Sequence, residues 1–77
     1  MTTDHKRQVT PIDLFVSGKI REAREAANLT REDLAGMLIL STVAIYKYEE
    51  GINRVSAGRL HMIALVTGKP ISWFFPS

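Results

Sequence analysis

The chain has 77 residues, which leaves room for a single domain. With 45% hydrophobic and 23% charged residues, its composition is that of a folded globular protein and not that of a disordered one. The absence of cysteine excludes a disulfide framework, a thiolate metal site and a cysteine nucleophile. The formal net charge of +2 is a mild basic bias, which permits nucleic acid as a partner without requiring it.

No segment of the sequence has the features of a membrane span or of a signal peptide. Its apolar runs are far shorter than the roughly 20 residues that cross a bilayer, and the first residues lack an apolar core. We therefore expect a cytoplasmic protein without a membrane partner. We expect residues 1–9 to form a flexible N-terminal arm and residues 10–77 to form a single domain.

The first helix signal lies at the start of this domain. Thr10, Pro11 and Asp13 supply a capping hydroxyl, a proline at the first helical position and a reciprocating carboxylate. Apolar residues then recur at helical spacing along one face, and Asn28 is suited to end the helix in a left-handed conformation. The apolar positions are Val16, Ile20, Ala23 and Ala27.

Three further helix signals follow, and strand-like alternation is absent. Thr30 and Asp33 form a capping box for a short second helix. Ser41 caps a third helix that ends at Gly51, and Ser56 caps a fourth that ends at Gly68. The residues after Gly68 have room for at most one more turn. The predicted fold class is all-α, a compact bundle of about four to five short helices. The inward residues are Leu34, Ala35, Leu38, Ile45, Tyr48, Leu60, Ile63 and Ala64.

Residues 31–50 combine two of these helices with a tight turn, and Ala35 is the small residue that a steep helix crossing requires. This pattern predicts a helix-turn-helix. Together with Ile20-Arg21-Glu22-Ala23-Arg24 before it and Tyr48-Glu49-Glu50-Gly51 after it, the segment resembles the lambda-repressor-like, Cro-type (XRE) family of helix-turn-helix DNA-binding proteins. The resemblance extends over roughly residues 12–76.

The resemblance implies that the second helix of the motif lies in the major groove of double-stranded DNA. Lys47 can donate hydrogen bonds to guanine, and the Thr42 hydroxyl can donate or accept a hydrogen bond. Val43 can pack against a thymine methyl. For Val43 and Ala44 the alternative is that they only fill the helix. The implied base contacts are Thr42, Val43, Ala44, Tyr46 and Lys47.

The resemblance also implies phosphate contacts from helix N-termini and from cations near them. Arg31 stands where the family usually has a glutamine that holds the sugar-phosphate backbone. A solvated basic face is the alternative interpretation of these cations. The implied phosphate contacts are Thr30, Arg31, Asn53, Arg54, Ser56 and Arg59. The basic residues His5, Lys6 and Arg7 of the arm are either a solubilising tail or a further DNA contact.

Four family positions concern stability and docking. Arg24 and Glu49 match an ion pair between the first helix and the end of the recognition helix, and loss of one partner, if buried, costs a few kcal/mol. Ile39 occupies a turn position that is usually glycine, so we expect a different turn or a strained one. Glu50 would lie close to phosphate, where a carboxylate needs a cation beside it.

The fourth helix and the tail carry more apolar surface than a core of this size absorbs. We therefore expect an isologous homodimer built from about residues 60–77, with two recognition helices about 34 Å apart on a palindromic site. The expected interface residues are Met62, Leu65, Val66, Trp73 and Phe75. For Trp73 the alternative is that it closes the monomer core, a role we assign to Phe74.

The function that follows is a sequence-specific, DNA-binding transcriptional regulator, in its most specific form a dimeric repressor. The alternative is a protein-binding module, such as an antitoxin or an adaptor. An enzyme is not expected, because Ser41, Ser56 and Ser72 are interpreted as helix caps. His5 and His61 are too far apart in sequence to suggest a metal site, and neither a cofactor nor a small-molecule ligand is expected.

Overall fold

The computed structural model describes residues 9–77, so the predicted arm up to Gln8 lies outside the described residues. In this part of the chain there are four α-helices and a C-terminal 3-10 helix, and no strand is present. The all-α prediction is confirmed. The helices are α1 (Pro11–Ala26), α2 (Arg31–Leu38), α3 (Thr42–Glu49) and α4 (Ala57–Thr67), followed by the 3-10 helix Ile71–Phe74. None of these helices is long and apolar enough to cross a membrane.

The first two helices begin with reciprocal capping boxes, as predicted. The backbone N–H of Thr10 donates to the carboxylate of Asp13 at 2.8 Å, and the N–H of Asp13 donates back to the Thr10 hydroxyl at 3.2 Å. Thr30 and Asp33 repeat the exchange at 2.9 Å and 3.0 Å. Each box satisfies backbone N–H groups that the helix itself leaves without partners.

Serine hydroxyls cap the other two α-helices. Ser41 accepts the N–H of Ala44 at 3.0 Å, and Ser56 accepts the N–H of Arg59 at 3.1 Å. The prediction that Ser72 is a cap is wrong, because Ser72 lies inside the 3-10 helix and the residue before that helix is Pro70. A proline with its restricted φ starts this short turn without a side-chain hydrogen bond.

The helix junctions depend on left-handed residues. Asn28 leaves α1 at φ 60°, as expected from its position, and Gly68 ends α4 at φ 74°. The turn of the helix-turn-helix is made by Ile39 at φ 57°. The sequence predicted either a different turn or a strained turn at this position. The turn is strained, since a β-branched residue disfavours the left-handed region.

The core consists of two adjoining clusters, and this arrangement determines where α3 lies. One cluster joins α1, α4 and the 3-10 helix, and Phe74 is fully buried within it, as predicted. The other joins α2 and α3 through Leu34, Ala35 and Ile45. Leu38 and Tyr48 pack against both clusters. The helix-turn-helix of α2 and α3 therefore packs against α1, α4 and the 3-10 helix.

Candidate nucleic-acid interface

The face of α3 opposite the core is open to solvent. Ile45 and Glu49 are buried, whereas Thr42, Val43 and Tyr46 are exposed. Ala44 and Lys47 are half-buried at the edges of the exposed face. All of the residues predicted to contact bases thus retain some solvent access, and the most exposed apolar one is Val43, at 59%.

The buried end of α3 is held by an ion pair with α1. The Nε and Nη2 atoms of Arg24 donate to the two carboxylate oxygens of Glu49 at 2.6 Å and 3.1 Å. Nη1 of Arg24 donates to the carbonyl of Leu29 at 2.9 Å, which joins the α1–α2 connection to the same group. The hydrogen bonds to Glu49 raise the pKa of Arg24 above its ordinary value. The structure therefore brings together the two residues that the sequence analysis paired.

A second arginine shares the same carboxylate. Nε of Arg31, at the start of α2, donates to Oε1 of Glu49 at 3.0 Å. Its guanidinium carbon also lies 5.3 Å from the centroid of the Tyr46 ring. Neither contact was predicted from the sequence, because Arg31 is 18 residues from Glu49 and no local spacing signals such a pair. Arg31, predicted as a phosphate contact, is therefore also part of the attachment of α3.

The other two arginines predicted to contact phosphate are likewise held by a second element. Nε of Arg54, in the α3–α4 connection, lies 3.1 Å from the carboxylate of Asp13 in α1. Nη1 of Arg59, in α4, donates to the phenol oxygen of Tyr48 in α3 at 3.0 Å. Each arginine retains further N–H groups, since a guanidinium carries five. Asn53, also a predicted phosphate contact, is exposed beside Arg54.

The predicted phosphate contacts at the helix starts are engaged in capping. The backbone N–H of Thr30 donates to Asp33, so this N–H is already used within the chain. The hydroxyl oxygens of Thr30 and Ser56 accept backbone N–H groups. The Thr30 hydroxyl also bonds the carboxylate of Asp33, whereas the hydroxyl of Ser56 has a proton that can be donated to a phosphate. The carboxylate of Asp33 accepts the backbone N–H of Thr30, and this hydrogen bond lowers the pKa of Asp33.

The residues predicted to form a dimer interface divide into two groups. Met62, Leu65 and Phe75 are exposed. Val66 is half-buried against the α2–α3 cluster, and Trp73 is half-buried against the other cluster. The two half-buried residues thus belong in part to the monomer core.

Trp73 has well-defined partners within the chain. Its ring meets Phe74 edge to face, with centroids 5.1 Å apart. The ammonium groups of Lys19 and Lys69 lie 4.3 Å and 4.7 Å from the centroid of the indole. Cation–π contacts of this kind are attractive, so the indole is already largely surrounded by its own chain.

Among residues 9–77 there is no group of His, Asp or Glu side chains that could hold a metal ion.

A family model described as helix-turn-helix matches residues 20–74, from the second half of α1 to the end of the 3-10 helix. This chain belongs to the XRE-type helix-turn-helix family.

An HTH-type transcriptional regulator of Sinorhizobium medicae (strain WSM419) is 38% identical to this XRE-family chain over 72 residues. The match takes in 94% of this chain and 52% of the relative, so the chain spans about half the length of that protein. The relatives that match most of this chain are helix-turn-helix transcriptional regulators by name and not enzymes.

Two solved structures have the same fold. The restriction-modification controller protein C.AhdI from Aeromonas hydrophila superposes with a TM-score of 0.74 at 24% identity, over 80% of this chain and 94% of that chain. The DNA-binding domain of BldD from S. venezulae superposes with a TM-score of 0.75 at 22% identity. The superposition covers 87% of this chain and 100% of the BldD domain. At these identities the comparisons show the shared fold alone.

Proposed function

We propose that this XRE-family protein is a sequence-specific transcriptional regulator that places α3 in the major groove of double-stranded DNA. The observation that carries the proposal is the exposed face of α3, whose opposite side is fixed to α1 by the buried pair of Arg24 and Glu49. An α-helix fits the major groove, and a rigid attachment lets its side chains meet base edges in one register.

The residues on this face have the chemistry that base recognition requires. Lys47 can donate to the O6 and N7 atoms of guanine, and Thr42 can donate or accept. Val43 and Ala44 can pack against thymine methyl groups, and Tyr46 offers both an aromatic ring and a hydroxyl. Val43 and Tyr46 are exposed without a covering element, which supports a partner at this face.

The proposed phosphate contacts flank α3. Arg54 and Arg59 are each anchored by one nitrogen, to Asp13 and Tyr48, so their remaining donors are held in restricted positions. A restricted side chain loses less entropy on binding than a free one. The hydroxyls of Thr30 and Ser56 and the side chain of Asn53 complete the proposed set.

We further propose that the regulator is a homodimer and a repressor. The exposed apolar side chains of Met62, Leu65 and Phe75 form the proposed two-fold interface, with Val66 and Trp73 at its base. A two-fold pair of recognition helices about 34 Å apart would read a palindromic operator in successive major grooves. Occupation of such an operator within a promoter would exclude the transcription machinery.

The test is selection of bound sequences from a random DNA library at about 150 mM salt, followed by titration of the enriched sequence. We expect an inverted repeat with half-sites about one helical turn apart. We expect Lys47→Ala to weaken binding by about fivefold or more, since a good base contact contributes about 1–3 kcal/mol. Arg21→Ala, which removes one positive charge from an exposed position of α1, is the matched control.

Failure to enrich any sequence, together with binding that is insensitive to salt, would overturn the proposal. The protein would then be assigned to the other function considered, a protein-binding module such as an antitoxin or an adaptor. In that case the exposed residues Met62 and Leu65 would be the first to test for a protein partner.

A further inference from the structure

The carboxylate of Glu49 has one arginine more than its charge requires. Arg24 alone makes a two-point ion pair with both oxygens, at 2.6 Å and 3.1 Å, and so neutralises the buried charge. Arg31 adds a third hydrogen bond, at 3.0 Å, to an oxygen that is already occupied. Neutralisation of Glu49 therefore does not explain why Arg31 is held there.

The position of the Arg31 guanidinium offers an explanation. Its Nε is fixed by a carboxylate that is fully buried, and its carbon lies 5.3 Å from the ring centroid of Tyr46. Tyr46 is the largest side chain on the exposed face of α3, and 44% of its surface is open to solvent. A cation within about 6 Å of an aromatic ring is attracted to its face. The buried ion pair thus holds a cation against the one exposed aromatic ring of α3.

We propose that Arg31 is a positioning residue for base recognition, which orders the Tyr46 ring on the reading face before DNA binds. This inference rests on the proposed function and deepens it. An unrestrained tyrosine on a short exposed helix samples several rotamers and loses that freedom on binding. A ring that is ordered in advance avoids this loss and presents its hydroxyl in one place, which favours one base pair over the others.

The proposal differs in a measurable way from a role of Arg31 as a phosphate contact. A phosphate contact strengthens binding to every sequence and contributes to the salt dependence. A residue that acts through Tyr46 changes the preference at the base pair that Tyr46 contacts. The effect of substituting such a residue also disappears when the tyrosine side chain is removed, because the residue acts on DNA binding only through that side chain.

The first experiment uses the protein without DNA and measures the order of the tyrosine rings by NMR relaxation. The chain has two tyrosines, and Tyr48, which is held by Arg59, serves as an internal control. We expect Arg31→Gln to increase the motion of the Tyr46 ring and to leave the Tyr48 ring unchanged. Unchanged motion of Tyr46 would overturn the proposal.

The second experiment is a double-mutant cycle on the enriched DNA sequence, with Arg31→Gln, Tyr46→Ala and the double variant. We expect Arg31→Gln to weaken binding by about threefold to tenfold and to relax the preference at the same base pair as Tyr46→Ala. In the Tyr46→Ala background the further effect of Arg31→Gln should largely vanish. Arg54→Gln, which removes an arginine that has no aromatic partner among residues 9–77, should weaken binding to all sequences and add to Tyr46→Ala.

Two results would contradict the positioning role of Arg31. One is an equal loss of affinity on all sequences, and the other is full additivity with Tyr46→Ala. Either would leave the proposed function standing, with Arg31 as a phosphate contact. A wild-type protein that selects no sequence would overturn the proposed function and the recognition role together. Urea unfolding checks each variant, and Arg31→Met, which removes the cation but keeps a long unbranched side chain, replaces Arg31→Gln if that variant does not fold.

Discussion

Ile39 shows how one residue stores strain in the turn of the helix-turn-helix. It is 91% exposed, so its side chain gains almost nothing from packing. Its φ of 57° places a β-branched residue in the left-handed region, at a cost of about 1–2 kcal/mol. Glycine would adopt this conformation without that cost, although it would also make the unfolded chain more flexible.

We therefore expect Ile39→Gly to raise the free energy of unfolding by about 0.5–1 kcal/mol, measured by urea denaturation. Asn28→Gly is the matched control, because Asn28 ends α1 at φ 60° and asparagine tolerates this region well. It should produce a smaller gain. A loss of stability in Ile39→Gly would mean that the isoleucine side chain stabilises the turn in a way its exposure does not reveal.

At the scale of the elements, the capping boxes tie helix formation to the ionisation of two carboxylates. The backbone N–H of Thr10 lowers the pKa of Asp13, and Arg54 lowers it further. The backbone N–H of Thr30 lowers the pKa of Asp33 in the same way. Because both folded pKa values lie below the ordinary value of 3.8, the ionised carboxylates stabilise the fold above that pH. This stabilisation is lost as the pH falls below 3.8 through the folded values.

We expect Asp33→Asn to reduce the acid sensitivity of folding. The measurement is the free energy of unfolding in urea at about pH 6 and at about pH 3, where the wild-type protein should lose more stability than the variant. Glu32→Gln is the matched control, because it removes a carboxylate from the same turn of α2 without breaking the capping box. An equal acid loss in wild type and Asp33→Asn would contradict the assignment.

At the scale of the molecule, α4 exposes apolar side chains that the single chain does not bury, as α1 does with Ile12 and Leu14. Leu65 is 61% exposed, whereas Val66 next to it packs against the α2–α3 cluster. Trp73 is engaged with Lys19, Lys69 and Phe74, so the proposed dimer depends more on α4 than on the indole. A substitution of Leu65 should therefore affect assembly without opening the core.

We expect the wild-type protein to sediment as a dimer and Leu65→Asp to sediment as a monomer that remains helical by circular dichroism. Ile12→Asp is the matched control, since Ile12 in α1 is also exposed, at 55%, and lies outside the proposed interface. It should remain dimeric. A monomeric wild type, or a Leu65→Asp variant that stays dimeric, would exclude this interface.

The sequence by itself determined the helices and their order. Each capping residue bonds a backbone group only three positions away, so a short window of sequence is enough to predict the cap. The capping residues are Thr10, Thr30, Ser41 and Ser56. The helix-turn-helix was predictable for a related reason, because periodic apolar residues and a small residue at the crossing reflect packing between neighbouring helices. The resemblance to the XRE family added the pairing of Arg24 with Glu49.

Only the tertiary structure decided how the arginines are used. Arg31 contacts Glu49, 18 positions along the chain, and also Tyr46. Arg54 contacts Asp13, 41 positions away, and Arg59 contacts Tyr48, 11 positions away. Side chains as long and flexible as arginine have many acceptors within reach. The choice among them follows from which helices lie side by side, and that is settled by the core and not by local spacing.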